Sequence, residues 1–172
     1  MTDPGLTQFG EAFVGTGAEA AHINTVLGSK GGPVEVSFTT ALATPRHGYA
    51  AFVTVIRPGL PVKPFTLFVN KAEIVTSRHS RLTWGAAQAG VASGVLSAVA
   101  DDVIDASGVD EMLLIAAVWV DPEAESEALV YANNRLATRQ ALERGRLQHP
   151  PLDELLAVAD QPDNPFFGLT HE

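Results

Sequence analysis

The sequence predicts an α+β fold, because strand-like segments dominate its first half and long helical segments its second half. Apolar and polar residues alternate from Ala21 to Leu27, which is typical of a strand with one buried face. Apolar residues recur at helical spacing over residues 80–105 and again over residues 123–146. Between these two segments, the uninterrupted apolar run from Met112 to Val120 indicates a central strand.

The composition indicates one compact domain. With 172 residues, of which 46% are hydrophobic, the chain is long enough to bury a substantial core. We therefore predict a single domain over residues 1–172, with its core at about 10–158 and a C-terminal tail at 159–172. Only 18% of the residues are charged, so contacts between subunits are expected to cover part of the surface.

Charge and residue types disfavour several classes of function. The net charge of −9 disfavours nucleic acid or an anionic membrane as partner, since either attracts a basic surface. The absence of cysteine excludes disulfides and thiolate chemistry. The longest apolar run is far shorter than a membrane helix requires, and the first residues lack the pattern of a signal peptide. A cytoplasmic location is therefore expected.

The first half is expected to begin with a short strand at residues 11–14 and a glycine turn that leads into the strand carrying His22. Pro33 suits the first turn of a helix that runs to about Thr44. Aromatic and β-branched residues predict another strand over residues 49–56. The three prolines within residues 57–64 then predict an extended connection that cannot be a central strand.

Strands are expected to resume at Phe65 and to continue to Val75. A period of two places Lys71 and Glu73 on one strand face, where they either lie at a solvated edge or line a pocket. The sequence leaves both readings open.

The helix predicted at residues 80–105 contains three glycines, at positions 85, 90 and 94. Glycine is unfavourable in helices, so their presence predicts close approach of another backbone or of a ligand. Gln88 lies among them and needs partners for its amide, which are either backbone groups or a ligand. A short last helix is expected at residues 152–158, and the side chains of Phe166 and Phe167 are expected to dock on this chain or a neighbouring subunit.

His22 is the strongest catalytic candidate among the titratable residues. It follows a glycine turn and shares a strand face with Asn24. Histidine titrates near neutrality and can act as an acid or a base, while asparagine can orient a substrate through a donor and an acceptor. The alternative is that His22 is an ordinary hydrogen-bonded histidine of the sheet.

Two common kinds of site are disfavoured by the motifs. The Gly15-x-Gly17-x-x-Ala20 pattern has the spacing of a dinucleotide fingerprint, but a strand follows where that fingerprint requires a helix. The five histidines include no pair at metal-ligand spacing, so no metal site is predicted.

Five ordered blocks carry a family resemblance. They are Gly10-Glu11-Ala12-Phe13-Val14-Gly15 with Ala21-His22-Ile23, His47-Gly48, Val62-Lys63-Pro64 with Val69-Asn70-Lys71, Gly85-Ala86-Ala87-Gln88, and Tyr131 through Ala137-Thr138. Together they span most of the chain, roughly residues 10–145, and the sequence resembles the formaldehyde-activating enzyme family. The resemblance implies a ribosomal-protein-S5-domain-2-like fold, with a mixed β-sheet packed against helices. It also implies a homopentamer with pterin sites between subunits.

Individual site residues are implied by the same resemblance. The family's catalytic histidine corresponds to His22, and its pterin-contacting lysine and glutamine correspond to Lys71 and Gln88. A contacting leucine corresponds to Val53.

Two positions depart from the family pattern. The family's aspartate is Asn24 here, and its threonine is Glu73. The substitution at position 24 removes a carboxylate that would accept from a pterin amine and favour protonated His22. We expect Glu73 to restore that charge from an adjacent strand.

The implied activity is the condensation of formaldehyde with tetrahydromethanopterin, or a related reduced pterin, to the methylene adduct. This is a carbon–nitrogen lyase reaction with the pterin as co-substrate and without a metal. His22 would act as general acid for water loss and as general base at ring closure. The changes at Asn24 and Glu73 leave open a non-catalytic paralogue that binds a pterin or aldehyde adduct as carrier or sensor, or a scaffold without an active site.

Overall fold

The computed structural model describes residues 7–164 and the backbone of residues 167–168. Its strands are β1 (Gln8–Val14), β2 (Ala21–Ser29), β3 (Phe52–Val53), β4 (Val55–Arg57), β5 (Leu60–Pro61), β6 (Phe65–Asn70), β7 (Met112–Trp119), β8 (Asp163–Asn164) and β9 (Phe167–Gly168). Its α-helices are α1 (Pro33–Ala43), α2 (Ser77–Arg81), α3 (Gln88–Ala100), α4 (Glu127–Leu147) and α5 (Leu152–Ala157). A π-helical segment, Leu82–Ala87, joins α2 to α3.

Five of these strands form one mixed sheet in the order β1-β2-β7-β6-β3. Strands β6 and β7 are parallel, and the other neighbouring pairs are antiparallel. The predicted α+β class with a mixed sheet packed against helices is therefore confirmed, and β7 is the central strand. The finer assignment to the S5-domain-2-like fold, and the division into core and tail, stay predictions.

Helices cover the two faces of the sheet unequally. One face packs on α3 and α4 through the larger hydrophobic core, which includes Ile23, Phe68 and Leu114. On the opposite face, the single helix α1 covers only part of the sheet through Val34 and Phe38. The remainder of that second face is left partly open, and it carries His22.

Helices α3 and α4 approach each other closely at two of the glycines. A Cβ atom added at Gly90 would lie 2.5 Å from the carbonyl oxygen of Tyr131, and one added at Gly94 would lie 2.6 Å from that of Arg135. The predicted close approach of another backbone is confirmed at these two positions. At Gly85 an added Cβ would meet nothing within 4 Å, so no other backbone approaches there and the ligand alternative stays a prediction.

Strand β6 ends earlier than the alternation predicts. The Asn70 side chain donates hydrogen bonds to the carbonyl oxygens of Gly48 and Ala72, at 2.9 and 2.8 Å. These local bonds stabilise a bend in place of further ladder pairing. Lys71 and Glu73 therefore follow the strand. The prediction from the period of two, that these two residues share a strand face, is wrong.

Several other boundaries differ from expectation. In place of the strand expected at residues 49–56, the structure has the two short strands β3 and β4. The helix expected from residue 123 begins only at Glu127. The Ser126 hydroxyl caps its start by accepting a hydrogen bond from the backbone N–H of Leu129. The helix expected at 80–105 occupies 77–100. The docking predicted for Phe166 and Phe167 concerns side chains outside the described residues. Within the described part of the chain, no helix is long and apolar enough to span a membrane.

Candidate active site

His22 and Asn24 lie side by side on the partly open face of the sheet. Along β2, buried residues alternate with half-buried ones, and both candidates belong to the half-buried set. Val26, two residues further on, packs against the cluster under α1. His22 and Asn24 therefore lie just beyond the helix that covers the rest of this face.

Lys71 reaches these two residues from the segment that follows β6. Its backbone N–H donates to the carbonyl of Val118 at 2.8 Å, which holds it beside β7 immediately after the end of β6. Its Nζ donates to Oδ1 of Asn24 at 2.7 Å and lies 3.3 Å from Nδ1 of His22. The side chain thus crosses β7 to join β6 to β2.

Glu11 provides a carboxylate on the other side of the histidine. It lies on edge strand β1, opposite Asn24 in the register, and its Oε1 is 3.2 Å from Nε2 of His22. Arg144 of α4 donates to the Glu11 carbonyl oxygen at 3.0 Å and lies 3.7 Å from the other carboxylate oxygen. The carboxylate is thereby held between a histidine and a guanidinium.

These contacts select one tautomer of neutral His22. A carboxylate can only accept, so the proton lies on Nε2 and is donated to Glu11. The lone pair on Nδ1 then faces Lys71, which can only donate while it is an ammonium. The result is a chain of hydrogen bonds from Glu11 through His22 and Lys71 to Asn24.

Partial burial favours the uncharged forms of the two bases. Burial lowers the pKa of His22 below its ordinary value, and the Lys71 cation lowers it further, while the charge and hydrogen bond of Glu11 act in the opposite direction. Burial also lowers the pKa of Lys71, again opposed by Glu11. The lowered pKa favours the neutral imidazole of His22 near neutral pH.

Aromatic rings flank the histidine on both neighbouring strands. Phe13 of β1 is the register partner of His22, and the two ring centroids are 6.1 Å apart. On the other side, Trp119 of β7 is the register partner, and its side chain is half-buried. Flat apolar side chains beside a titratable group are suited to a planar heterocyclic substrate.

The other predicted site residues lie apart from this cluster. Val53 packs against the cluster under α1, at the opposite edge strand of the sheet. Glu73 lies against Gly48, with its Oε1 3.8 Å from Nδ1 of His47. Gln88 donates from its side-chain amide to the carbonyl of Val55 at 2.6 Å, so this donor is bound by backbone.

Two residues at the site were missed in the sequence. Glu11 belongs to the first block of the family resemblance, and Trp119 lies in the apolar run that predicts the central strand. Neither residue was predicted to lie at the site. The glycine turn between β1 and β2 implies antiparallel pairing, and that pairing would have placed a residue near Glu11 beside the histidine. No local signal identified Trp119. Among the described residues, no group of three or more histidine, aspartate or glutamate side chains could hold a metal ion.

A histidine held between a carboxylate and an amine, half-buried on a sheet face with aromatic residues on both neighbouring strands, defines the class of enzyme that moves protons on its substrate. Comparison with known proteins identifies the family. Residues 9–167 match the family described as Formaldehyde-activating enzyme (Fae), and the chain belongs to that family. The expected membership is thereby confirmed, as is the class of enzyme, a lyase of the formaldehyde-activating type.

Similar proteins come from several archaea. The chain is 39% identical over 157 residues to the 5,6,7,8-tetrahydromethanopterin hydro-lyase of Methanosarcina barkeri, which covers 91% of this chain and 88% of the relative. It is 36% identical over 164 residues to the Bifunctional enzyme Fae/Hps of Methanosphaera stadtmanae, and 34% identical over 161 residues to that of Archaeoglobus fulgidus. These alignments cover 95% and 94% of this chain, but only 40% and 41% of the bifunctional relatives.

Proposed function

We propose that the protein condenses formaldehyde with tetrahydromethanopterin, or with a related reduced pterin, to form the methylene adduct. The observation that carries the proposal is the contact of His22 with both Glu11 and Lys71 on a half-buried sheet face. The relative named as a tetrahydromethanopterin hydro-lyase supports the choice of co-substrate.

The reaction requires several proton movements that His22 can perform. A pterin amine attacks formaldehyde, the resulting carbinolamine loses water to leave an iminium, and a second amine closes the ring. Neutral His22 accepts the proton released from an attacking amine and returns it to the departing hydroxyl. General acid–base catalysis of this kind contributes about 10²–10⁴-fold in rate.

Pterin binding is proposed to use two separate groups of residues. Lys71 contacts both His22 and Asn24, whereas Glu73 and Gln88 bind other partners within the chain. A site between two subunits would bring the first group of one chain to the second group and Val53 of another.

A homopentamer would supply such sites, and exposed apolar side chains support subunit contacts of this kind. Phe9, on the same edge strand as Glu11, is 69% exposed, and Leu129 at the start of α4 is 52% exposed. Sedimentation of the purified chain measures the assembly, and a monomer at micromolar concentration would contradict this part of the proposal.

The direct test mixes formaldehyde with tetrahydromethanopterin and follows formation of the methylene adduct with and without the protein. We expect the protein to accelerate adduct formation above the spontaneous rate. An unchanged rate at saturating protein would overturn the proposed activity.

The substitution at position 24 favours one alternative function. The neutral amide of Asn24 stands where the family has a carboxylate that would accept from a pterin amine. In this chain, Oδ1 of Asn24 accepts a hydrogen bond from Lys71. A carrier or sensor of the methylene adduct would bind it without accelerating its formation. Calorimetry that shows tight binding of the adduct, together with no effect on the rate, would favour that alternative over the enzyme.

Replacement of Trp119 is expected to weaken pterin binding. The Trp119→Leu variant keeps an apolar residue but removes a ring that can stack on the pterin, so we expect the Kd to rise roughly fivefold to tenfold. Calorimetric titration with the pterin measures the change. The matched control is Leu155→Ala, at a half-exposed position of α5 away from the sheet. Equal Kd values for Trp119→Leu and the unmodified protein would exclude stacking.

Replacement of Glu11 is expected to shift the pH profile of the reaction. Glu11 raises the pKa of His22 against the effects of burial and Lys71, so Glu11→Gln lowers that pKa further. The acidic limb of kcat/KM should therefore move to lower pH. The matched control is Glu111→Gln, at an exposed glutamate beside the start of β7. A shift to higher pH, or an equal shift in the control, would contradict the role of the Glu11 carboxylate.

A further inference from the structure

We propose that Lys71 is a catalytic nucleophile that captures formaldehyde as a covalent iminium and passes its carbon to the pterin amine. The inference rests on the function proposed above, because it takes formaldehyde as the substrate. It assigns the lysine a covalent step in addition to any contact with the pterin.

The hydrogen-bond partners of Lys71 distinguish it from the other lysines. The chain contains only three, Lys30, Lys63 and Lys71. Nζ of Lys63 pairs with the Asp110 carboxylate, and Nζ of Lys30 donates to the carbonyl oxygen of the same residue. Lys30 and Lys63 are exposed, whereas Lys71 is half-buried and its Nζ is hydrogen-bonded to two uncharged side chains, an imidazole and an amide. A lysine that is partly buried beside neutral acceptors can lose its proton and become a nucleophile.

Asn24 contributes to this state of the lysine. Its Oδ1 accepts a hydrogen bond from Nζ of Lys71 at 2.7 Å. A carboxylate at this position would hold the ammonium form through its full negative charge, whereas an amide oxygen accepts with only a partial charge. Burial lowers the pKa of Lys71, and the charge of Glu11 acts in the opposite direction.

One proton transfer would prepare both reacting groups. Nζ of Lys71 and Nδ1 of His22 are 3.3 Å apart, so the ammonium can pass a proton to the imidazole. The products are a free amine on Lys71 and an imidazolium on His22. Glu11 stabilises that imidazolium from the opposite ring nitrogen. The nucleophile and the acid required for water loss are therefore made in the same step.

The covalent sequence balances without a further reactant. The Lys71 lone pair forms a bond to the formaldehyde carbon, and the carbonyl π pair moves to oxygen, which takes up the proton lost from nitrogen to give a carbinolamine. His22 then protonates the hydroxyl, water leaves, and the nitrogen lone pair forms the carbon–nitrogen double bond of the iminium. A pterin amine adds to the iminium carbon and loses its proton to neutral His22. That proton then returns to the nitrogen of Lys71, and the bond between this nitrogen and the formaldehyde carbon breaks. The products are the free lysine amine and the pterin iminium. The second pterin amine adds to the iminium carbon and releases a proton, which closes the ring.

Reductive trapping tests the capture step on the full chain. The protein is treated briefly at pH 7 with a low concentration of formaldehyde and sodium cyanoborohydride, and methylation of each lysine is measured by peptide mass spectrometry. We expect methylation of Lys71 to be roughly tenfold faster than that of Lys30 or Lys63 in the folded chain, and equal to theirs in the unfolded chain. Equal or slower methylation of Lys71 in the folded chain would overturn the proposal.

Two variants separate nucleophilic capture from mere exposure. Asn24→Asp keeps Lys71 but places a carboxylate beside it, so trapping should fall to the level of the other two lysines while circular dichroism stays unchanged. Lys71→Arg keeps the positive charge but cannot form an iminium, so it should lose the acceleration while still binding the pterin in calorimetry. Unchanged trapping in the first variant, or full acceleration by the second, would overturn the proposal.

The outcomes also distinguish this inference from the proposed function. Acceleration of adduct formation without trapping at Lys71 would support the proposed function and contradict the covalent step. Selective trapping at Lys71 without any acceleration would support aldehyde capture and contradict the proposed condensation with the pterin.

Discussion

Replacing His22 with alanine is expected to slow methylene-adduct formation by about 10²–10⁴-fold, the usual contribution of a general acid–base group. The loss follows from the position of the ring, which alone joins the Glu11 carboxylate to the Lys71 amine. Without it, the proton from an attacking amine has no path to the departing hydroxyl. The stopped-flow rate with saturating pterin measures the effect after subtraction of the spontaneous reaction.

The matched control is His149→Ala, because His149 is exposed after the end of α4 and has no hydrogen bond or ion pair to Glu11, His22 or Lys71 among the described contacts. Its rate should equal that of the unmodified protein. Since the pKa of His22 is lowered from 6.5, the unmodified enzyme should keep its activity as pH falls through 6.5 and lose it only at lower pH, where the ring becomes protonated. Full activity of His22→Ala would remove the histidine from the mechanism.

Replacing Gly94 with alanine is expected to destabilise the fold. An added Cβ would lie 2.6 Å from the carbonyl oxygen of Arg135 and 2.7 Å from Cβ of Thr138, so α3 and α4 must move apart. Overpacking of this kind costs about 1–3 kcal/mol, which exceeds the gain in helix propensity of about 1 kcal/mol. Urea unfolding followed by circular dichroism gives the change in free energy.

Gly85→Ala is the matched control, since it makes the same substitution in the same helical run. An added Cβ at Gly85 would meet nothing within 4 Å, so the variant should be more stable by about 0.5–1 kcal/mol. The two substitutions should therefore have opposite signs. A stabilising Gly94→Ala would show that α3 and α4 are not in close contact.

The elements that sequence patterns predicted well are those whose signal is local. Alternation along β2 placed His22 and Asn24 on one face, and the apolar run identified β7 as central, because a strand buried on both faces needs apolar residues throughout. The same rule failed after Asn70, whose side chain bonds to backbone carbonyls and ends the strand. The alternation of hydrophobic residues gives no sign of a polar side chain that competes with the hydrogen bonds between strands.

The candidate site was predicted in part, and by two routes. Local pattern and the family resemblance both led to His22. Local pattern left Lys71 and Gln88 open between a structural role and a site, and Val53 came from the resemblance alone. The carboxylate expected from Glu73 is supplied at His22 by Glu11, since Glu73 contacts Gly48 and His47. Antiparallel pairing across the glycine turn could have indicated Glu11, whereas Glu73 lies far from His22 in sequence and no pairing connects the two.

The amino-acid sequence by itself determined the α+β class, the buried central strand and the face on which His22 lies, since each depends on residue spacing within one segment. Only the tertiary structure decided which charged groups meet the histidine. Glu11 arrives through the register of β1 on β2, and Lys71 arrives by crossing β7 from the end of β6. Both contacts depend on strand order and register, which are set by packing across the whole sheet and not by the residues next to His22.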